Sequence, residues 1–287
     1  MMKPSTRRKI IPYLFILPFV VIFFGFMVFP VIYSIVISFT RFVGGKFIFN
    51  GLTNFKLLFL DELFRKSLVN TFTILLIQVP IQTLFALILA HLLNTKNLKC
   101  RGILRMMIFM PVLIDTVSYS IVFSVLFKSD GFINGILTSI GLNAVPWFTN
   151  PIAAKALIII AMLWRWTGYN VIIILGGMQN ISSELYEAAE IDGASPVQQF
   201  IHVTLPGVKQ VTLFSVVLSI IGAMQLFTEP QLLTNGGPLN QTLTVVQYLY
   251  QTGFKQMNFG VASAGAYILV GIIAVLTYMQ LKVTKED

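Results

Sequence analysis

Charge is scarce in this sequence. Asp, Glu, Lys and Arg make up only 11% of its 287 residues, where an ordinary soluble domain carries roughly 25%. One cysteine, Cys100, excludes an intrachain disulfide and reads as an inert thiol beside the membrane. Two histidines, His91 and His202, share no short ligand spacing, so no metal site is expected. No Gly-x-x-x-x-Gly-Lys-Ser/Thr run occurs, so the chain has no phosphate-cradling loop of its own. No internal repeat is visible, which argues against the duplicated halves of the common secondary transporters.

What the sequence does have is apolar length. Hydrophobic residues make up 56% of the chain. A membrane-crossing helix needs about 20 of them in a row, and backbone groups in lipid must be satisfied within the helix. Six such runs stand at roughly 11–40, 68–94, 104–127, 153–178, 207–229 and 259–281. The fold expected is all-α, a polytopic bundle of six spans forming one membrane domain over 1–287. Prolines 18, 30, 80 and 111 fall in or near these runs and predict kinks, not breaks. Basic residues precede the first run, as in a signal peptide. That run, Ile11 to Phe39, is too long for a secretory core and has no small-residue cleavage site, so it reads as a retained span.

The net charge of +9 raises the question of nucleic acid. The basic residues instead cluster beside spans, as orientation signals do, and no nucleic-acid partner is expected. Lys3, Arg7, Arg8 and Lys9 put the N-terminus in the cytoplasm, and an even number of spans puts the C-terminus there too. Lys96, Lys99, Arg101 and Arg105 in the next short loop agree, as do Lys282 and Lys285. Arg41, Lys46, Lys56, Arg65 and Lys66 in the first outer loop pull the other way. Two short inner segments outvote one longer outer one, giving a multi-pass protein of the cytoplasmic membrane, surrounded by lipid.

The longest polar insertion on the inner side is then 179–206, between spans four and five. Ser182 can cap a short helix and Asp192-Gly193 can stop it. Ser195, Pro196 and Gln198 form the signature of a capping box opening a second helix. Ile181, Leu185 and Ala188 on the first arm, and Val197, Phe200, Ile201 and Leu205 on the second, recur at helical spacing. Two amphipathic helices thus meet at a glycine bend. Ala188 and Ala189 keep one surface small enough for a partner's groove, and Glu184, Glu187, Glu190 and Asp192 make it negative. The residues leave open whether this surface docks a partner or merely lies solvated on its own bundle.

Glu187-Ala188-Ala189, then Gly193, then Val203-Thr204-Leu205-Pro206 resemble the EAA loop of ATP-binding-cassette importer permeases, with valine at 203 where the family usually has isoleucine. Asn50-Gly51-Leu52-Thr53-Asn54-Phe55 before Asn70-Thr71, Trp166-Thr167-Gly168-Tyr169-Asn170, and Leu233-Thr234-Asn235-Gly236-Gly237-Pro238 are similar to carbohydrate-uptake permeases. The last loop looks like that of the first permease subunit of maltose and glycerol-3-phosphate type systems. The resemblance implies a sugar permease, not an enzyme, with no catalytic residue and no cofactor of its own. It implies a heterodimer with a second, related permease, two cytoplasmic ATPases that hold ATP and Mg, and an extracytoplasmic solute-binding protein. Glu187, Ala188, Ala189, Asp192, Gly193, Leu205 and Pro206 would then couple to the ATPases.

The translocation path is less legible. Arg165 and Asp115 fall at similar depth on consecutive spans, where an isolated charge is costly. They read either as a buried ion pair or as part of a substrate pathway. Tyr169, Asn170, Gln225, Thr228 and Glu229 are candidate sugar contacts, offering an aromatic face, amides and a carboxylate. Each also has a duller use as a helix bridge or interface residue. Arg165 could attract a phosphate, leaving a phosphorylated substrate open. Trp147, Tyr248 and Tyr250 read as an interfacial belt. Two rivals remain: an ion-coupled secondary transporter using Asp115, Arg165 and Glu229 as relay groups, and a membrane-embedded lipid-modifying enzyme.

Overall fold

The structure is a computed structural model that describes residues 4–95 and 98–285. Lys3 and Lys96, two of the orientation signals, lie outside the described residues. The chain resolves into two compact units, one of residues 1–61 with 249–268, the other of residues 62–248 with 269–287.

In the first unit, α1 (Pro4–Phe23) passes through a wide π turn at Phe24–Val28 into α2 (Phe29–Ser38). Pro30 follows that turn by two residues. A proline ring would strike the carbonyl four residues back in a regular helix, and the wider turn relieves it. Almost every side chain from 12 to 37 is exposed. Among the described residues, most of the first span's apolar surface is thus left uncovered, with Tyr267 reaching Ser34 and the Val31 carbonyl. Strands β1 (Thr40–Val43) and β2 (Lys46–Phe49) pair antiparallel across Gly44-Gly45, both at positive φ, +57° and +79°. An all-α fold is therefore corrected by one hairpin. Two glycines that reach the left-handed region at no steric cost make the two-residue turn whose twist suits paired strands. Asn54, in α3 (Thr53–Leu60), donates to the carbonyls of Ser38 and Thr40, both at 2.8 Å, and fixes the chain where helix gives way to strand.

The second unit is built on α4 (Glu62–Asn94) and, after α5 (Arg101–Leu113), α6 (Thr116–Leu126) and α7 (Phe132–Ser139), on α8 (Pro151–Met178), which packs along α4. Asn150 caps α8, accepting from the amides of Ile152 and Ala153, with Pro151 in the first turn. The loop 179–206 contains α9 (Ser183–Ile191) and α10 (Pro196–Gln199). A π turn at Phe200–Thr204 leads to α11 (Leu205–Gly207) and α12 (Lys209–Met224). Pro206 again follows a π turn by two residues. The chain continues through α13 (Val245–Tyr250) to α14 (Phe259–Lys285).

Among the described residues, four helices are long and apolar enough to cross a membrane alone: Pro12–Ser38, Glu62–Asn94, Pro151–Met178 and Phe259–Lys282. The other two expected spans are bent pairs. The run 104–127 is no continuous helix: α5 and α6 meet at 96°, with Ile114 and Asp115 extended between them. Asp115 accepts from the amides of Val117 (2.9 Å) and Ser118 (3.2 Å), replacing the carbonyl partners that the interruption of the helix takes from them. The run 207–229 likewise starts with a 68° bend at Val208, just after Pro206, and its helix ends at Met224.

Two glycines allow close packing here. A Cβ at Gly168 would lie 1.9 Å from the carbonyl oxygen of Ile108, so the backbones of α8 and α5 approach only because that position has no side chain. A Cβ at Gly207 would meet Ile181 at 2.6 Å. Buried apolar residues gather in two clusters. One surrounds Tyr119, Phe123, Ile158 and Met162; the other joins Ala86, Ala90, Ile174 and Met178 to Val208, with Phe200 and Ile181 packed against it.

Candidate functional site

The loop 179–206 is more rigid than two helices and a glycine require. Ser182 accepts from the amide of Glu184 at 3.3 Å and opens α9. At the other end Asp192 is the last capping residue, and Gly193 takes φ +77°. The amide of Gly193 donates to Glu190 (3.0 Å) and that of Ala194 to Ala189 (2.9 Å), the two bonds of a Schellman stop. The capping box is complete: Ser195 accepts from the amide of Gln198, and the Gln198 side chain accepts from the amide of Ser195 at 2.7 Å. A further tie crosses between the arms, the Tyr186 hydroxyl lying 2.9 Å from that of Thr204.

The second arm is anchored through Phe200, whose ring centroid lies 4.6 Å from that of His91 on α4. Glu187, Ala188, Asp192, Gly193 and Pro206 are exposed, and Ala189 and Leu205 half-buried. Ile191 is 86% exposed and Val197 66% exposed, with Leu185 and Ile201 also outward. Each arm thus turns one apolar edge inward, through Ile181 and Phe200, and leaves another uncovered among the described residues, at Leu185, Ile191, Val197 and Ile201, while the arms themselves are fixed to each other.

A second candidate site lies among α4, α8 and the end of α12. A cavity of about 340 Å³ is lined by the amides Gln78, Gln82, Asn170 and Gln225, the hydroxyls Thr116, Ser219 and Thr228, the rings Trp166 and Tyr169, and the carboxylate Glu229. That volume is at the small end of ligand pockets, roughly 300–1,000 Å³. Asn170 donates to Ser219 at 2.9 Å and so bridges α8 to α12 as well as facing the cavity. Gln78 hydrogen-bonds Gln82, which in turn donates to the Trp166 carbonyl at 3.3 Å. Glu229 is buried, and one of its oxygens accepts from the Tyr119 hydroxyl at 2.7 Å.

Five sequence-predicted candidates, Tyr169, Asn170, Gln225, Thr228 and Glu229, therefore share one cavity. Asp115 and Arg165 do not belong to its lining, nor do they form the ion pair considered above. Asp115 is an exposed helix cap, its oxygen engaged by backbone amides that a capping carboxylate naturally attracts. Arg165 is 9% exposed, with its guanidinium carbon 4.9 Å from the Tyr119 ring centroid and 5.3 Å from that of Trp166. Its Nε and Nη1 have no hydrogen-bond partner among the described residues. Sequence reasoning missed Gln78, Gln82, Ser219 and Tyr119. The two glutamines were detectable as amides four apart in an otherwise apolar run, where polar groups need a reason. Tyr119 carries no such signal. Trp147 and Tyr248 are not simply belt residues: Trp147 donates to Asn134 at 3.2 Å, and Tyr248 is buried against Phe64.

Residues 64–283 match the family described as binding-protein-dependent transport system inner membrane component. The chain belongs to this family. It is a family of transport permeases and not of enzymes. The permease is 41% identical over 279 residues to the lactose transport system permease protein LacF of Rhizobium radiobacter, covering 96% of this chain and 94% of that one. It is 38% identical to the arabinooligosaccharides transport system permease protein AraP of Halalkalibacterium halodurans, covering 97% and 89%. The fold matches a crystal structure of a bacterial ABC transporter involved in import of the acidic polysaccharide alginate, with TM-score 0.86, 22% identity, and 98% and 97% of the two chains covered. Asn70 and Thr71 are tied to the segment that follows the 233–238 motif: Asn70 donates to the carbonyls of Asn240 and Leu243, and Thr71 accepts from the amide of Val245.

Proposed function

We propose that this chain is the permease subunit of an ATP-binding-cassette importer through which a sugar crosses the cytoplasmic membrane. The observation that carries the reading is the cavity: amides, hydroxyls, three aromatic rings (Trp166, Tyr169 and Phe227) and one carboxylate converge on it, in a chain whose relatives bear the names of sugar transport systems. Amides and hydroxyls match the donors and acceptors of a saccharide, and Trp166 and Tyr169 offer faces for its apolar side.

In this reading the bent pair α5 and α6 forms the third span and α12 the fifth, giving six spans in a single membrane domain with both termini cytoplasmic. Lys99, Arg101, Arg105 and Lys282 then stand on the inner side with the loop 179–206. Glu187, Ala188, Ala189, Asp192, Gly193, Leu205 and Pro206 form the surface that meets an ATPase, with the outward Ile191 and Val197 as apolar anchors beside the acids. ATP and Mg are held by two partner ATPases. A second permease completes a heterodimer, and a solute-binding protein delivers the sugar from outside. Because the two arms are tied at Tyr186 and Thr204, a push on either is transmitted to α12 and so to the wall of the cavity.

The test is co-expression with candidate partner subunits, tag purification and mass spectrometry of what accompanies the chain, comparing the natural chain with Glu187→Lys. Recovery of an ATPase and a second permease, with the ATPase weakened by the charge reversal, supports the reading. A chain that purifies alone and moves solute in vesicles on an ion gradient overturns it.

A further inference from the structure

The cavity's electrostatic sign points to a narrower substrate class. Among its lining residues Glu229 is the one acid, and no Lys, Arg or His lines it. The nearby positive charge, Arg165, is held against the rings of Tyr119 and Trp166, and it is Trp166 that stands in the lining. Tyr119 joins the two charged groups: its ring receives the guanidinium, and its hydroxyl donates to one oxygen of Glu229 at 2.7 Å. The carboxylate is thereby fixed in place through one oxygen. Carboxylate oxygens accept hydrogen bonds and cannot donate them. A neutral sugar meets Glu229 with hydroxyl donors, whereas a uronate or sugar phosphate brings a second negative charge beside the carboxylate in the wall.

We propose that Glu229, oriented by Tyr119, makes this cavity selective for neutral over anionic sugars. This rests on reading the cavity as the sugar path. It resolves the choice left open by the sequence, where Arg165 could have attracted a phosphate. The group that would recruit an anion is not in the wall, and the group that repels one is.

The test uses the complete transporter in lipid nanodiscs without its binding protein, so that selection by the external subunit does not enter. Sugar pairs that differ only at C6, galactose with galacturonate and glucose with glucuronate, are titrated against tryptophan fluorescence, with Trp166→Phe identifying the signal from the cavity. In the natural chain the uronate of at least one pair should need about tenfold or more the concentration of its neutral partner. Glu229→Gln keeps an acceptor for Tyr119 and should narrow that ratio to about twofold or less. Tyr119→Phe keeps the charge but releases the carboxylate from its hydroxyl donor, and should leave a preference for the neutral sugar that is narrower than in the natural chain. Equal affinities in the natural chain, or a ratio that Glu229→Gln leaves unchanged, overturn the charge filter and leave the sugar path standing. Quenching by no member of either pair, or quenching that survives Trp166→Phe, overturns the sugar path and the filter with it. Should Glu229→Gln fail to assemble, the ratios in the natural chain and in Tyr119→Phe still decide.

Discussion

The Tyr186 hydroxyl lies 2.9 Å from the Thr204 hydroxyl, eighteen residues further along the chain, and closes the two arms of the loop 179–206 into one body. A glycine bend alone would leave their angle soft. With the hydroxyl pair, the Schellman stop and the capping box together, the angle is set from three directions.

The first prediction concerns this tie. Removing a hydrogen bond of this kind costs about 0.5–1.5 kcal/mol. Tyr186→Phe and Thr204→Val should each raise the ATP consumed per sugar transported while leaving ATPase association intact, and the double variant should be no worse than either alone. Fully additive effects in that double-mutant cycle would show that the two hydroxyls act separately.

Gly193 provides a graded test of the bend. At φ +77° a side chain with a Cβ costs about 1–2 kcal/mol, and asparagine is tolerated better than most. Uptake should therefore decline in the order Gly, Asn, Ala, Val, with Gly193→Pro inactive because its ring requires φ near −65°. No atom lies within 4 Å of a Cβ built there, so the losses report backbone conformation and not a clash within this chain. Equal activity across the series sinks the fixed-bend idea.

These local features could be read in the sequence because they follow from short-range chemistry: Ser195, Pro196 and Gln198 contain a capping box in four consecutive residues. The hairpin is equally local, yet Gly44-Gly45 lies beyond the first run, in an outer segment that stands out in the sequence only as a source of charge. The breaks in the third and fifth runs were hidden for a different reason. Hydropathy reports apolar length, and an aspartate among apolar residues looks like a buried charge until its backbone partners are known. Depth alone suggests an ion pair or a pathway role for Asp115, whereas its carboxylate accepts from the amides of Val117 and Ser118. Long-range relations were out of reach altogether. Nothing near Tyr119 announces Glu229, 110 residues away.

Gly168 illustrates a motif whose reason is steric. Trp166-Thr167-Gly168-Tyr169-Asn170 supplies a ring, a ring and an amide to the cavity, and the glycine between them lets α8 lie against the Ile108 carbonyl. Gly168→Ala should destabilise the detergent-solubilised chain by about 1–3 kcal/mol, since the backbones must part to admit a methyl group. Gly176→Ala, on the same helix with nothing within 4 Å, should be neutral or slightly stabilising. Thermal unfolding of the two variants side by side measures the difference; similar melting temperatures would mean that α5 and α8 do not approach as described.

Asp115 separates an importer from an ion-coupled carrier. As a cap, it needs only an acceptor oxygen, which asparagine supplies as well, whereas alanine costs about 1 kcal/mol. Asp115→Asn should therefore transport at close to the natural rate, and Asp115→Ala should melt earlier and transport less in proportion. A proton or cation relay makes the opposite demand. It requires a group that can carry charge, so Asn and Ala would fail alike, whatever their stability. Uptake into vesicles loaded with ATP, measured with and without an ionophore that collapses ion gradients, completes the comparison: activity in Asp115→Asn that survives the ionophore leaves Asp115 as the hinge that turns α5 into α6, and activity lost in both conditions returns it to the centre of the mechanism.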